Sequence, residues 1–312
     1  MSSFKSYLQS LNHKSATIST HESAVYDFSN WCEDQNIEAK QATYSELLGY
    51  MQSLQKRGWQ QRSIQGYIGS LGHYFNWLIA IDQRTDHPTK AIVVKGIQRK
   101  KLHHIITMQD LESLYATFKP NPEYVSGNYR IWHKRTHLAT LTRQVAYGLM
   151  IWQGLGSGEL SALRVQDIKL REGKIYIPAV SRQNERILQL QSIQILDLME
   201  YLNQIRPEYL QGGSQQTERH AEPVEALFVG QYGGEWGTNF LDGLIKSLKS
   251  HNPSITSLQQ IRTSVITHWL KTHNLRQVQY MAGHRYVSST EAYLINDLDD
   301  LMEDINKFHP IE

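Results

Sequence analysis

The residues whose types and spacing best suit chemistry on a charged substrate lie in two short stretches. In "TSLQQIRTSVITHWL" (256–270), Thr256 and Gln259 are spaced as a capping box, so Gln259 is expected to close a helix end. Arg262 lies three residues further along the same face. Amide N–H groups and guanidinium donors would converge there, which suits a phosphate. A surface arginine paired to a carboxylate fits the same spacing. In "AGHRYVSSTEAYL" (282–294), His284 falls in a Gly-flanked turn, and Ser288 with Glu291 reads as another capping box. Tyr293 is then expected on the second turn of a short helix. A phenol with its ordinary pKa of about 10 is a poor nucleophile at neutral pH. Attack on a phosphodiester would demand a cationic pocket, a proton acceptor and in-line placement. Arginine and histidine are the residue types for that work, although a core histidine and a core tyrosine fit these thirteen residues equally well.

Other chemistries find less support. The glycines of "GLGSGE" (154–159) do not fit the dinucleotide pattern, no Gly-Lys-Ser/Thr follows, and an apolar helix precedes them where both nucleotide motifs need a strand. The pairs His103-His104 and His133/His137 lack a third ligand at sensible spacing, and no His-Glu-x-x-His occurs, so neither metal nor cofactor is expected. The single cysteine, Cys32, excludes an internal disulfide and a cysteine-based zinc cluster.

The elements that must position these residues are mostly helical. Stripes at Ile18, Ala24, Val25, Phe28 and Trp31, at Leu47, Leu48, Met51 and Leu54 before a stop at Gly58, and at Ile64, Tyr67, Ile68, Leu71, Phe75 and Leu78 predict an N-terminal helical domain over 1–84. The apolar period lapses over 85–104, where Arg99, Lys100 and Lys101 give a basic interdomain linker suited to a phosphate backbone. Residues 105–312 form a second domain. It opens on a Thr107/Asp110 cap and continues through a buried helix in "THLATLTRQVAYGLMIWQGL". A β-hairpin follows in "GKIYIPAVSRQNERILQL", then a period-free loop over 207–224, then helices again. The fold class is mainly α with a small β-sheet.

The net charge of +2 conceals an uneven distribution. Residues 1–290 carry 31 Lys+Arg against 23 Asp+Glu, whereas residues 291–312 carry 1 against 7. An acidic tail thus offsets a mildly basic body, which suits a phosphate-backbone partner without demanding one. No apolar run reaches bilayer length and the N-terminus lacks a signal-peptide block, so a cytoplasmic protein with no membrane partner is expected.

Read together, the blocks resemble the tyrosine recombinase (phage integrase) family. "GLGSGELSALRVQDI" resembles the family's Gly-Leu-Arg-x-x-Glu-Leu block, "QQIR" (259–262) its His-x-x-Arg block, and Gly283-His284 with Tyr293 its Gly-His and tyrosine nine residues on. The resemblance implies a helical core-binding DNA-binding domain before an α+β catalytic domain. It also implies double-stranded DNA as partner and site-specific recombination without a cofactor. Tyr293 would form a 3′-phosphotyrosyl intermediate, assisted by Arg262, His284 and Gln259, with Arg99, Lys100 and Lys101 on the DNA. Homo-tetramers on DNA and a mobile element as the source are implied as well. The C-terminal stripe at Leu294, Leu298, Leu301 and Ile305 fits packing on its own chain, whereas the resemblance implies docking on a neighbouring protomer. Three positions depart from the pattern. Gly156 stands at the first arginine, Gln259 at the histidine, and no lysine occurs between Lys174 and Lys246 to serve as the hairpin lysine. Arg182, with Arg186 second, is expected to replace the missing charge. A DNA-binding protein that keeps the fold without strand exchange is the alternative reading.

Overall fold

A computed structural model of the chain describes residues 3–96, 103–117, 130–181, 183–214, 225–230 and 238–294. The chain divides into two units, Met1–Lys101 and Leu102–Glu312.

In the first unit the apolar stripes become four helices: α1 (Phe4–Ser10), α2 (Ser15–Asp34), α3 (Tyr44–Lys56) and α4 (Gln61–Ala80). Phe28, Leu47, Leu54, Ile64, Leu71 and Phe75 are wholly buried, so each amphipathic face closes on the others. Thr43 and Glu46 cap α3 reciprocally, and Gly58 ends the turn after it at φ +79°. Tyr50 fills the α3 core position that the apolar stripe assigns to Leu48, which is only half-buried. The tyrosine pays for its burial by donating its hydroxyl to Asp27 at 2.7 Å. Residues 84–94 have no regular structure, yet Ile92 and Val94 pack against this core.

The second unit contains α5 (Met108–Thr117), α6 (Arg130–Gln153), α7 (Ser157–Ala162), β1 (Ile168–Lys169), β2 (Lys174–Ile177), β3 (Arg186–Gln189), α8 (Ser192–Glu200), α9 (Arg206–Ser214), α10 (Thr238–His251), α11 (Leu258–Thr272), α12 (Leu275–Ala282) and α13 (Val287–Glu291). Thr107 accepts from the Asp110 amide at 3.1 Å, as its spacing predicts. The strands form one antiparallel sheet in the order β1-β2-β3. Residues 207–214 are helical rather than loop, because a π-turn over Tyr201–Ile205 carries α8 directly into α9. Tyr201 is buried in that turn and donates to the Leu227 carbonyl.

The α11 helix is buried on every side from Gln260 to Thr267, which makes it the central element of this unit. Its cap differs from the Thr256/Gln259 expectation. Ser257 is the N-cap, accepting from the Gln260 amide at 3.2 Å, and Gln260 Oε1 accepts from the Thr256 amide at 2.7 Å. Gln260 is the buried residue and Gln259 the exposed one. Ser288 is likewise not an N-cap. Tyr286 takes that position, Ser288 lies inside α13, and Tyr293 falls two residues past its end, its amide donating to the Thr290 carbonyl. Among the described residues, no helix is long and apolar enough to cross a membrane.

Candidate functional site

Strand register determines the first component of the site. Ile177 of β2 is wholly buried and pairs with Arg186, the first residue of β3. Directly opposed residues share a face of the sheet, so the pairing carries the Arg186 side chain inward. There its Nη1 donates to Glu159 Oε1 at 2.5 Å, and its Nε to the Met281 carbonyl at 2.7 Å. Its Nη2 is buried without a hydrogen-bond partner among the described residues.

Arg262 reaches the same carboxylate from α11. Its Nη1 donates to Glu159 Oε2 at 2.7 Å and to the Gly154 carbonyl, and its Nη2 to the Ala282 carbonyl at 2.7 Å. Glu159 itself closes the N-terminus of α7, because Oε2 also accepts from the Gly156 amide at 2.9 Å. Arg186, Arg262 and Glu159 are 2 %, 3 % and 0 % exposed. One buried anion between two guanidinium groups leaves a net positive charge, a demanding arrangement in a low-dielectric interior. Burial pulls the Arg186 guanidinium below its ordinary pKa, and Glu159 opposes that pull.

Gly283 is indispensable to this packing. It ends α12 at φ +69°, and a Cβ there would overlap Arg186 Nη1. The Gly156 position also borders the cluster. A side chain starting there would leave from 3.7 Å beside Glu159 Oε2 and 3.8 Å beside Arg262 Cδ.

The turn after Gly283 presents the histidine. The Asn184 amide donates to the Gly283 carbonyl at 2.7 Å, and Gln183 bridges to His284, so the hairpin fixes the turn. His284 Nδ1 lies 2.9 Å from the buried Thr290 hydroxyl. Its ring stacks on Tyr293 with centroids 5.6 Å apart and planes 17° from parallel. Tyr293 is half-buried and packs against Ile266, Val278 and Ala282. Burial, then the Arg262 and Arg186 charges, hold the His284 imidazole down from 6.5 to about 4. The ring is therefore neutral at neutral pH.

That shift has a measurable consequence. The unfolded chain takes up the His284 proton near pH 6.5 and the folded one only near 4, so this residue makes stability fall as pH drops through that window. Urea midpoints taken from pH 7.5 to 4.5 are expected to decline less steeply in His284→Asn than in the wild type. Parallel declines would contradict the burial of a neutral ring.

Of the residues that the sequence singles out, Arg262, Arg186, His284 and Tyr293 come together. Gln259 points to solvent one turn before Arg262. Arg182, Arg99, Lys100 and Lys101 lie outside the described residues, as does the tail stripe beyond Leu294. Glu159, which joins the two arginines, was visible only as a letter in the first block. Nothing in its spacing signals an ion pair with residues 27 and 103 positions away.

A pair of guanidinium groups beside a neutral imidazole and a phenol, with the nearby carboxylate already committed, suits nucleophilic attack on a phosphodiester. This chemistry, on a helical unit with a small antiparallel sheet, defines the class of DNA-cleaving and rejoining enzymes that work through tyrosine. The phage integrase family model matches residues 129–298, more than half of the chain, and the chain belongs to that family, the tyrosine recombinases. Among its relatives, the tyrosine recombinase XerC of Psychromonas ingrahamii is 23 % identical over 298 residues, covering 94 % of this chain and 90 % of its own length. The tyrosine recombinase XerD of Listeria innocua is 25 % identical over 304 residues, covering 94 % and 92 %. In fold, the chain is similar to XerH site-specific recombinase bound to palindromic difH substrate in a post-cleavage complex. That match has a TM-score of 0.67 at 18 % identity and covers 97 % of this chain and 82 % of that one. The Tn1549 transposon integrase in complex with transposon right end DNA is similar at a TM-score of 0.64 and 13 % identity, covering 98 % and 99 %.

Proposed function

We propose that this chain is an active site-specific recombinase on double-stranded DNA, with Tyr293 as nucleophile. The observation that carries the reading is the convergence of Tyr293 and His284, stacked at 5.6 Å, with the buried Arg262. The Tyr293 oxygen attacks the scissile phosphorus, the bond to the 5′ oxygen breaks, and a 3′-phosphotyrosyl link forms. A 5′-hydroxyl of the partner strand then attacks the same phosphorus and releases the tyrosine. Each step exchanges one phosphodiester for another, so no external energy source is consumed. His284, neutral at neutral pH, accepts the phenolic proton and passes it to the departing 5′ oxygen, which leaves as a hydroxyl. Arg262 and the exposed amide of Gln259 hold the phosphate oxygens. Residues 1–84 act as the core-binding domain, residues 85–104 with Arg99, Lys100 and Lys101 as a basic linker along the backbone, and residues 105–312 as the catalytic domain. The DNA-bound relatives in fold support this partner.

Arg186 bears on the charge that Gly156 and the absent hairpin lysine leave missing. Its buried contact with Glu159, beside Arg262, supports a compensating role, and Arg182, four residues earlier in the sequence, is the other candidate. Guanidinium stays protonated, so neither arginine replaces the lysine as a proton donor. That deficit favours a second reading, a DNA-binding protein that keeps the fold without strand exchange. The two separate on nicked duplexes carrying a site selected by the protein from random DNA. Accumulation of protein joined to a 3′ phosphate is expected, and tight binding with no covalent product would leave only the second reading.

Assembly is proposed as a tetramer on two duplexes, with the C-terminal segment docking on a neighbouring protomer. Deleting residues 297–312 is expected to leave single-protomer DNA binding intact and to remove higher-order complexes in gel-shift and light-scattering measurements. Unchanged assembly would overturn the docking.

A further inference from the structure

The N-terminal unit brings together three histidines that the sequence keeps apart. His13 follows Asn12, which turns the chain between α1 and α2 at φ +58°. His21 lies on α2 and His73 on α4. The ring centroids are 5.3 Å apart for His13–His21, 5.1 Å for His13–His73 and 4.7 Å for His21–His73. All three residues are half-buried, and each offers one nitrogen so that these atoms lie within 4.8 Å of one another.

A satisfied cluster of core histidines would show its nitrogens hydrogen-bonded, and His21 does not. Its Nδ1 lies 2.9 Å from the Ser70 hydroxyl, while that hydroxyl donates to the Gly66 carbonyl at 3.1 Å. A hydroxyl has one proton, so Ser70 must accept from His21 Nδ1–H, which leaves Nε2 as an unprotonated acceptor. This Nε2 is buried and has no hydrogen-bond partner among the described residues. An imidazole whose second nitrogen donates to a fixed neighbour is the arrangement metal-ligating histidines adopt. Burial first, then the neighbouring histidines, lower the pKa of His21, and burial with His13 does the same for His73. Neutral rings are the ligating form.

We propose that His13, His21 and His73 form a binding site for a divalent transition-metal ion of the zinc class, completed by water in a fourth position. Tetrahedral zinc holds its nitrogens at about 2.0–2.1 Å, which sets them roughly 3.3 Å apart. The rings must therefore draw inward by no more than about 1.5 Å, within reach of side-chain rotation. Cys32 takes no part. It is buried in the helical core, and burial pushes its thiol up to about 12. The ion would tie the α1–α2 turn to α4, and so stabilise the unit rather than serve the strand exchange.

The test uses the full chain, stripped with a chelator and titrated with zinc chloride by calorimetry and thermal unfolding. One zinc per chain and a melting temperature that rises with zinc are expected. His21→Gln and His73→Gln are expected to lose both effects. His13→Gln, in a turn rather than a helix, supplies a variant whose folding is least at risk. Ser70→Ala, which keeps all three ligands and frees the His21 tautomer, is expected to weaken binding by about 10- to 100-fold. Cobalt(II) in the wild type is expected to show the visible absorption of a four-coordinate site with three nitrogen ligands and one water. Zinc affinity unchanged in His13→Gln would place the ion among other histidines and overturn the proposal. A wild type that neither binds zinc nor gains stability from it would overturn it as well.

Discussion

Replacing Tyr293 by phenylalanine is expected to reduce the covalent protein–DNA product on nicked cognate duplexes to background. DNA affinity and thermal stability should remain close to those of the wild type. The expectation follows from what the side chain does in the fold. Its ring stacks on His284 and packs on Ile266, Val278 and Ala282, and phenylalanine keeps all of those contacts. Only the hydroxyl disappears, and with it the atom that would attack phosphorus. A loss of product with binding retained therefore reports chemistry rather than folding. The exposed Tyr286 and Tyr280 provide the control, since both flank His284 in the sequence. A covalent product that survives in Tyr293→Phe and vanishes in Tyr286→Phe or Tyr280→Phe would relocate the nucleophile.

The second large effect belongs to Arg186. Arg186→Ala is expected to slow cleavage by about 10² to 10³, the loss typical of one preorganised charged donor. Stability should fall too, because a member of a buried ion-pair group is removed, although Glu159 keeps Arg262 as partner. The stronger structural lesion is Glu159→Gln, which leaves two buried guanidinium groups with no anion between them. It is expected to destabilise by about 3–5 kcal/mol. Comparing the two separates the roles. Charge supplied to the phosphate predicts that Arg186→Ala loses rate beyond its loss of folded protein, measured as cleavage per folded molecule at low temperature. Cleavage rates left intact in both Arg182→Ala and Arg186→Ala would end the compensation argument.

Much of this was legible in the residues themselves. Helical stripes at Ile64, Ile68, Leu71, Phe75 and Leu78 became α4 because an amphipathic period needs no distant information to be read. The hairpin was legible for the same reason, since its alternation places Ile175 and Ile177 on one face. Local signals failed where two residues competed for one task. Of the adjacent Gln259 and Gln260, only Gln260 turns inward on α11, and the choice of capping partner depends on Ser257 and on the His104 carbonyl, which accepts from Gln260 at 2.9 Å. The Ser288 cap failed similarly, because the chain enters α13 from a turn already held by the hairpin.

The sequence by itself determined which groups were available: an arginine, a histidine and a tyrosine in order, a glycine where an arginine was expected, and no hairpin lysine. It could not determine where charge would be concentrated. That was decided by the pairing of Arg186 with buried Ile177, by the room Gly283 leaves, and by Glu159 reaching both guanidinium groups. The three histidines at 13, 21 and 73 are the same case. Periodicity reports which face of an element is apolar, but hydrogen-bonded ion pairs and ligand sets need their atoms within a few ångströms. Only the packing of elements distant in sequence brings such groups within that range.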